Sequence, residues 1–321
     1  MRRVVVVHPN TLIGRELRER LAPRRELTGE LRLLSSIEDE IGQLAESGGE
    51  VTFVGRLDDD ALEGVALAFF CGAIETDRAW LERLPAGVTA IVLSAGATLA
   101  DGDTGPAAIA EAQHRGGRLL LPHPAAVGSA LLLARLAPFG VRAANAVALL
   151  PVSTRGGAAL DDLFEETKAL LAFKTPKRSR SAAGQTAFNV ALSAVDADEA
   201  ARQTLAELGA SFPFSLQLLE AGIFHGVALS LHVELERPAD ARAIRRDLAA
   251  DPRFEIARKP AAVSPAALAG AEQMVIGEVR AGAGPGSFWI WAVYDNLTRG
   301  GAAAAIEIAE RLLGGPASPP S

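Results

Sequence analysis

Arg118-Leu119-Leu120-Leu121-Pro122-His123-Pro124-Ala125-Ala126-Val127-Gly128-Ser129, running into the apolar stretch Ala130–Ala137, reads as a buried strand, a proline-stiffened turn and a helix. In an open α/β sheet, chemistry is placed at the carboxyl ends of strands, where helices begin. The helix amides there point into the turn and favour an anion. This turn offers alanines, a valine and an imidazole where a nucleophile would be expected.

Outward from it, strands and helices alternate. Arg3–Val7 is a β-branched run typical of a strand buried on both faces. Leu12, Ile13, Leu17 and Leu21 have helical spacing. Glu30–Ser35, Val51–Val54, Val65–Cys71, Thr89–Leu93 and Leu119–Leu121 read as further strands, and Pro106–Arg115 as a helix opened by proline. This interval implies a doubly wound parallel sheet with right-handed crossovers, a Rossmann-like domain over residues 1–127.

After Ala137 the character changes. Val141–Ser153, Phe214–Leu219, Phe224–Glu236, Gln273–Ala281 and Ser287–Tyr294 read as strands. Asp161–Phe173, Asp198–Leu208 and Ala239–Ala249 read as helices. This is an α+β domain over residues 128–297 with a mostly antiparallel sheet. A last alanine-rich helix, within 298–314, completes the first domain, and a prolyl tail at 315–321 is expected to be disordered.

The 321 residues carry a net charge of −7 with acids and bases interspersed, which argues against nucleic acid as a partner. The basic run Lys174–Arg180 is either a solvated or an anion-binding loop. A single cysteine, Cys71, excludes an internal disulfide and any multi-cysteine metal site, and fits a reducing compartment. No apolar run reaches membrane-span length and no signal peptide is read, so a cytoplasmic protein with no membrane partner is expected.

A phosphate-cradling turn after the first strand needs three glycines. In His8-Pro9-Asn10-Thr11-Leu12-Ile13-Gly14 only Gly14, at the packing position, remains, and Pro9 removes an amide donor. Either Asn10, Thr11 and the helix amides still hold a dinucleotide, or this is an ordinary turn.

The segments Gln185–Val190, Phe224-His225-Gly226 with Leu231–Leu235, and Phe288–Ala302 resemble "IAFN(V/M)", "PVF-x-GH…VNVEL" and "LWVVGDNLRKGAA". By them the chain resembles the aspartate-semialdehyde dehydrogenase family from Val4 to Leu313. Members of this amino-acid-biosynthetic family reduce an acyl phosphate with NADPH through a cysteine thioester. A histidine serves as acid/base, and an arginine grips the substrate carboxylate. The resemblance puts the nucleophile position at Ala126, the acid/base position at Val227 and the substrate-arginine position at Glu220. A substrate-binding Glu-x-x-Lys pair would fall on Glu199 and Arg202, and the first nucleotide glycines on His8 and Thr11. Such losses resemble the USG-1-like branch, which lacks the cysteine.

The expectation is therefore a homodimer without the parent chemistry and with weakened or absent NADP binding, acting in binding or assembly. A mixed dimer with an active paralogue is a variant of it. The alternatives are changed chemistry in the same crevice, built on His123, His225 and Glu220, or a nucleotide-binding regulator. Cys71 and Ser129 are candidate substitute nucleophiles with a packing role as the simpler account, and His232 is a surface or subunit contact. No resident metal is expected.

Overall fold

The computed structural model describes residues 3–176, 184–195, 197–207, 212–237 and 239–314, so residues 177–180 of the basic run and the tail at 315–321 lie outside it. The described residues form two compact units, residues 3–122 with 301–314, and those within 123–300.

The first unit runs β1 (Arg3–Val7), α1 (Leu12–Leu21), α2 (Arg25–Thr28), β2 (Glu30–Ser35), β3 (Leu44–Ser47), β4 (Glu50–Phe53), β5 (Gly55–Arg56), β6 (Leu67–Phe70), α3 (Ile74–Leu81), β7 (Thr89–Val92), α4 (Pro106–Arg115) and β8 (Gly117–Leu120). Its six-stranded sheet has the order β5-β2-β1-β6-β7-β8, with every pairing parallel. That is the doubly wound dinucleotide-domain order, whose winding reverses between β1 and β6. Val4–Val7 and Leu67–Phe70 are fully buried, because helices cover both faces.

The second unit runs α5 (Pro124–Leu136), β9 (Val141–Leu150), α6 (Gly157–Leu171), β10 (Val190–Leu192), α7 (Asp198–Glu207), β11 (Phe214–Ala221), β12 (Val227–Leu235), α8 (Ala241–Ala249), β13 (Phe254–Ile256), β14 (Met274–Ala281) and β15 (Ser287–Tyr294). Its seven-stranded sheet, β10-β11-β9-β12-β15-β14-β13, is mostly antiparallel, with parallel steps at β11–β9 and β13–β14. Leu229, Leu231 and Val233 of β12 and Phe288, Ile290 and Ala292 of β15 share one core with Leu132, Leu133 and Leu136 of α5. A π-helical turn, Thr298–Ala302, then leads into α9 (Ala303–Leu312), whose Ala305, Ile306 and Ala309 join a core of the first unit.

Several expectations are corrected. Val51–Val54 is no strand of the parallel sheet: β4 pairs antiparallel with β3 in a separate hairpin, turned at Gly48-Gly49. Phe224–Gly226 precedes β12 as a turn, and Val152–Arg155 leaves β9 as a 3-10 turn. The short strands β10 and β13 escaped notice because three residues carry too little pattern to read.

Candidate functional site

In the first unit the place built for a ligand is the switch point, at the carboxyl ends of β1 and β6. His8 follows β1 there with a φ of 57°, a left-handed backbone that a β-carbon disfavours. Its imidazole is fully buried, with Nδ1 3.1 Å from Ser35 Oγ and Nε2 3.1 Å from Asp77 Oδ1. Asp77, also fully buried, accepts hydrogen bonds at Oδ2 from Gly72 N (2.9 Å) and Ser94 Oγ (2.6 Å). Ser35 Oγ in turn donates to Glu40 at 2.6 Å. A β-carbon on Gly72, just after β6, would lie 2.6 Å from the His8 ring, so the imidazole packs directly on that backbone.

These residues do not fit a dinucleotide. The His8 ring fills the space at the first glycine position, and Pro9 has no N–H. Thr11 caps α1 by accepting from Gly14 N (3.1 Å), which occupies an amide that a phosphate would use. Asn10, offered as a ligand, accepts instead from Arg18 at 3.1 Å. Gly14 keeps its packing role: a β-carbon there would stand 2.5 Å from the His8 carbonyl oxygen. Beyond β2, where an arginine would meet a 2′-phosphate, come Glu38, Asp39 and Glu40. Glu38 is held below the usual carboxylate range by its hydrogen bond and charge pairing with Arg56.

In the second unit His123 is the N-cap of α5 and Pro124 its first residue. His123 Nδ1 accepts from Ala125 N at 3.2 Å, so the ring is neutral with its proton on Nε2. Desolvation lowers its pKa from 6.5 to about 4. The fold therefore favours the unprotonated ring, and the stability this cap contributes is present above pH 6.5 and lost as pH falls towards 4. His123→Asn, which caps without titrating, is expected to flatten the acid side of a stability–pH curve across that window. An unchanged slope in chemical denaturation would contradict that cap.

Ala126 lies in the first turn of α5 and Val227 at the start of β12. They are 1% and 0% exposed and belong to one apolar core, so neither lines an open pocket. Glu220 of β11 meets a partner that the sequence did not reveal, Arg155, at 3.3 Å. The pair cancels within itself instead of presenting a free cation to a carboxylate. Among the described residues His225 makes no hydrogen bond or ion pair, and none joins His123, His225 and Glu220. Among the described residues, no group of three His, Cys, Asp or Glu side chains could hold a metal ion.

Within Phe288–Ala302, the last of the segments that carry the family resemblance, Asp295 and Asn296 have a structural role. Asn296 Oδ1 accepts from Ser153 Oγ and Gly226 N, both at 3.1 Å. Asp295 accepts from Leu297 N and Thr298 N through Oδ1, and from Gly270 N through Oδ2. Two adjacent side chains thus pin four chain segments.

The remaining candidates are dispersed. Cys71 is 2% exposed, and burial together with the Asp77 carboxylate pushes its thiol well above the ordinary range, which makes it inert as a nucleophile. Ser129 Oγ is fully buried and donates to Ala125 O, a bond within α5. Glu199 and Arg202, both exposed on α7, pair with each other at 2.9 Å. His232 Nε2 meets Ser287 Oγ at 2.8 Å, and its ring lies 4.9 Å from that of Trp289.

Comparison with known proteins agrees with the fold. Residues 133–299 match the family model described as semialdehyde dehydrogenase, dimerisation domain. A USG-1 protein homolog of Pseudomonas aeruginosa is 30% identical over 331 residues, covering 97% of each chain. The structure of aspartate semialdehyde dehydrogenase II of Vibrio cholerae, complexed with ASA, superposes with a TM-score of 0.84 at 22% identity over 98% of both chains. A probable aspartate-semialdehyde dehydrogenase of Pseudomonas aeruginosa superposes with a TM-score of 0.82 at 28% identity, over 97% of this chain and 98% of that one.

Proposed function

Because the chain belongs to the aspartate-semialdehyde dehydrogenase family, alongside its USG-1-like relatives, we propose that it is a dimeric member without acyl-phosphate reduction, working in the cytoplasm through binding or assembly. The observation that carries this reading is the sealed apolar core around Ala126 and Val227. An alanine methyl cannot form an acyl-enzyme and a valine cannot relay a proton. The filled switch point argues against the nucleotide-binding regulator. The separate engagements of His123 and Glu220 argue against a rebuilt active site.

The dimer has its own support. β10 is the edge of the seven-stranded sheet and lies in the region matched by the dimerisation-domain model. It exposes Val190 and Leu192, with Phe188 just before it and Phe164 and Leu171 exposed on α6. An apolar, unpaired edge of this kind is usually covered, and a second copy of the chain is the occupant that the matched domain favours. A mixed dimer with a paralogue would use the same edge.

Two measurements test the reading. Sedimentation is expected to give a dimer for the native chain and a monomer for Val190→Lys/Leu192→Lys, with the fold retained by circular dichroism. A native monomer, or a double variant that stays dimeric, would contradict this interface. Calorimetry is expected to show no saturable heat with NADPH or NADP at near-millimolar concentration, and saturable binding would contradict the closed switch point.

A further inference from the structure

Tyr294 is the largest fully buried side chain among the described residues, and it sits at the corner where Val227 starts β12. Val227 and Tyr294 are direct partners across β12 and β15, so both side chains leave the sheet on the same face. The tyrosine hydroxyl donates to Pro124 O in the first turn of α5 at 2.9 Å. A β-carbon on Gly128 would stand 2.2 Å from that hydroxyl and 2.3 Å from the ring carbon bearing it. A β-carbon on Gly300 would stand 3.3 Å from the other ring edge. The ring thus lies in a slot bounded by two glycines, a proline and a valine. The family segment quoted above, "VVGDNL", has glycine where this chain has Tyr294 in Ala292-Val293-Tyr294-Asp295-Asn296-Leu297.

We propose that Tyr294 plugs this corner, holding the volume that any side chain longer than valine at position 227 would need. Positions 227 and 294 then form one steric unit: small beside large in this chain, with the reverse combination the other way to fill the space. An imidazole at 227 has room only when the phenol is gone, and it could then donate to the same Pro124 carbonyl. Restoring functional groups at 126 and 227 alone would leave the corner closed. The proposal rests on the reading that those are the vacated acyl-transfer positions, but its test reads stability and not turnover, so the two can fail separately.

The test is a double-mutant cycle on the full-length chain: native, Val227→His, Tyr294→Gly and the double variant, compared by urea unfolding. Val227→His crowds a packed core and Tyr294→Gly leaves a cavity, so each is expected to lower the folding equilibrium constant at least a hundredfold. The double variant is expected to retain at least ten times more than the product of the single effects allows. Multiplicative losses would overturn the proposal. Should Tyr294→Gly not fold, Tyr294→Leu takes its place in the same cycle under the same criterion.

Discussion

Asp77→Ala is expected to destabilise the protein by about 3–5 kcal/mol, because two buried donors lose their acceptor at once and the buried His8 ring loses the carboxylate beside it. Gly72 N and Ser94 Oγ donate to its Oδ2, and the His8 ring lies 3.1 Å from its Oδ1. A buried polar group without a partner forfeits its hydration, and each such loss costs about 1–3 kcal/mol. His8 already holds a left-handed backbone, a strain of order 1–3 kcal/mol that its side-chain bonds offset. Asp77→Asn keeps an oxygen for the Gly72 amide and is expected to cost less than half as much. Urea unfolding followed by circular dichroism measures both. A midpoint for Asp77→Ala within about 1 kcal/mol of native would show that the His8 bracket is not what holds the ends of β1 and β6.

Glu166→Ala is expected to cost about 2–4 kcal/mol and to loosen the segment leading into β10. Glu166 is 7% exposed on α6, and its Oε2 accepts from Thr186 N at 2.9 Å and Ala187 N at 2.7 Å. Hydrogen bonds to a buried charged acceptor are among the stronger ones. Because β10 begins at Val190, the loss should also weaken self-association. Hydrogen exchange at the Thr186 and Ala187 amides is expected to accelerate in the variant before global unfolding. Unchanged protection would mean that the segment is held by something other than this carboxylate.

The sheet of the first unit was legible because parallel strands buried on both faces leave unbroken apolar runs such as Val4–Val7. The β3–β4 hairpin misled for a related reason: Val51 and Phe53 look like core residues yet are exposed, and only long-range pairing reveals their place. At the site, single positions could be read but partnerships could not. Glu220 stood out because the resemblance would put the substrate arginine there, whereas Arg155, which pairs with it, lies 65 positions away and has no motif to announce it. His8 stood out where a phosphate-cradling turn would need glycine, but not as the centre of a buried cluster with Ser35 and Asp77. Tyr294 did carry a signal, a large side chain at the glycine of the segment "VVGDNL", and its meaning came only with its cross-strand neighbour Val227.

The central claim is that acyl transfer has no nucleophile here, with Ala126 in its place and Cys71 sealed away. It is tested most directly by incubating the purified chain with aspartate semialdehyde, inorganic phosphate and NADP, and following NADPH. No NADPH above the protein-free rate is expected. Phosphate-dependent NADPH formation that co-elutes with the protein, and is abolished by His123→Ala, would contradict it.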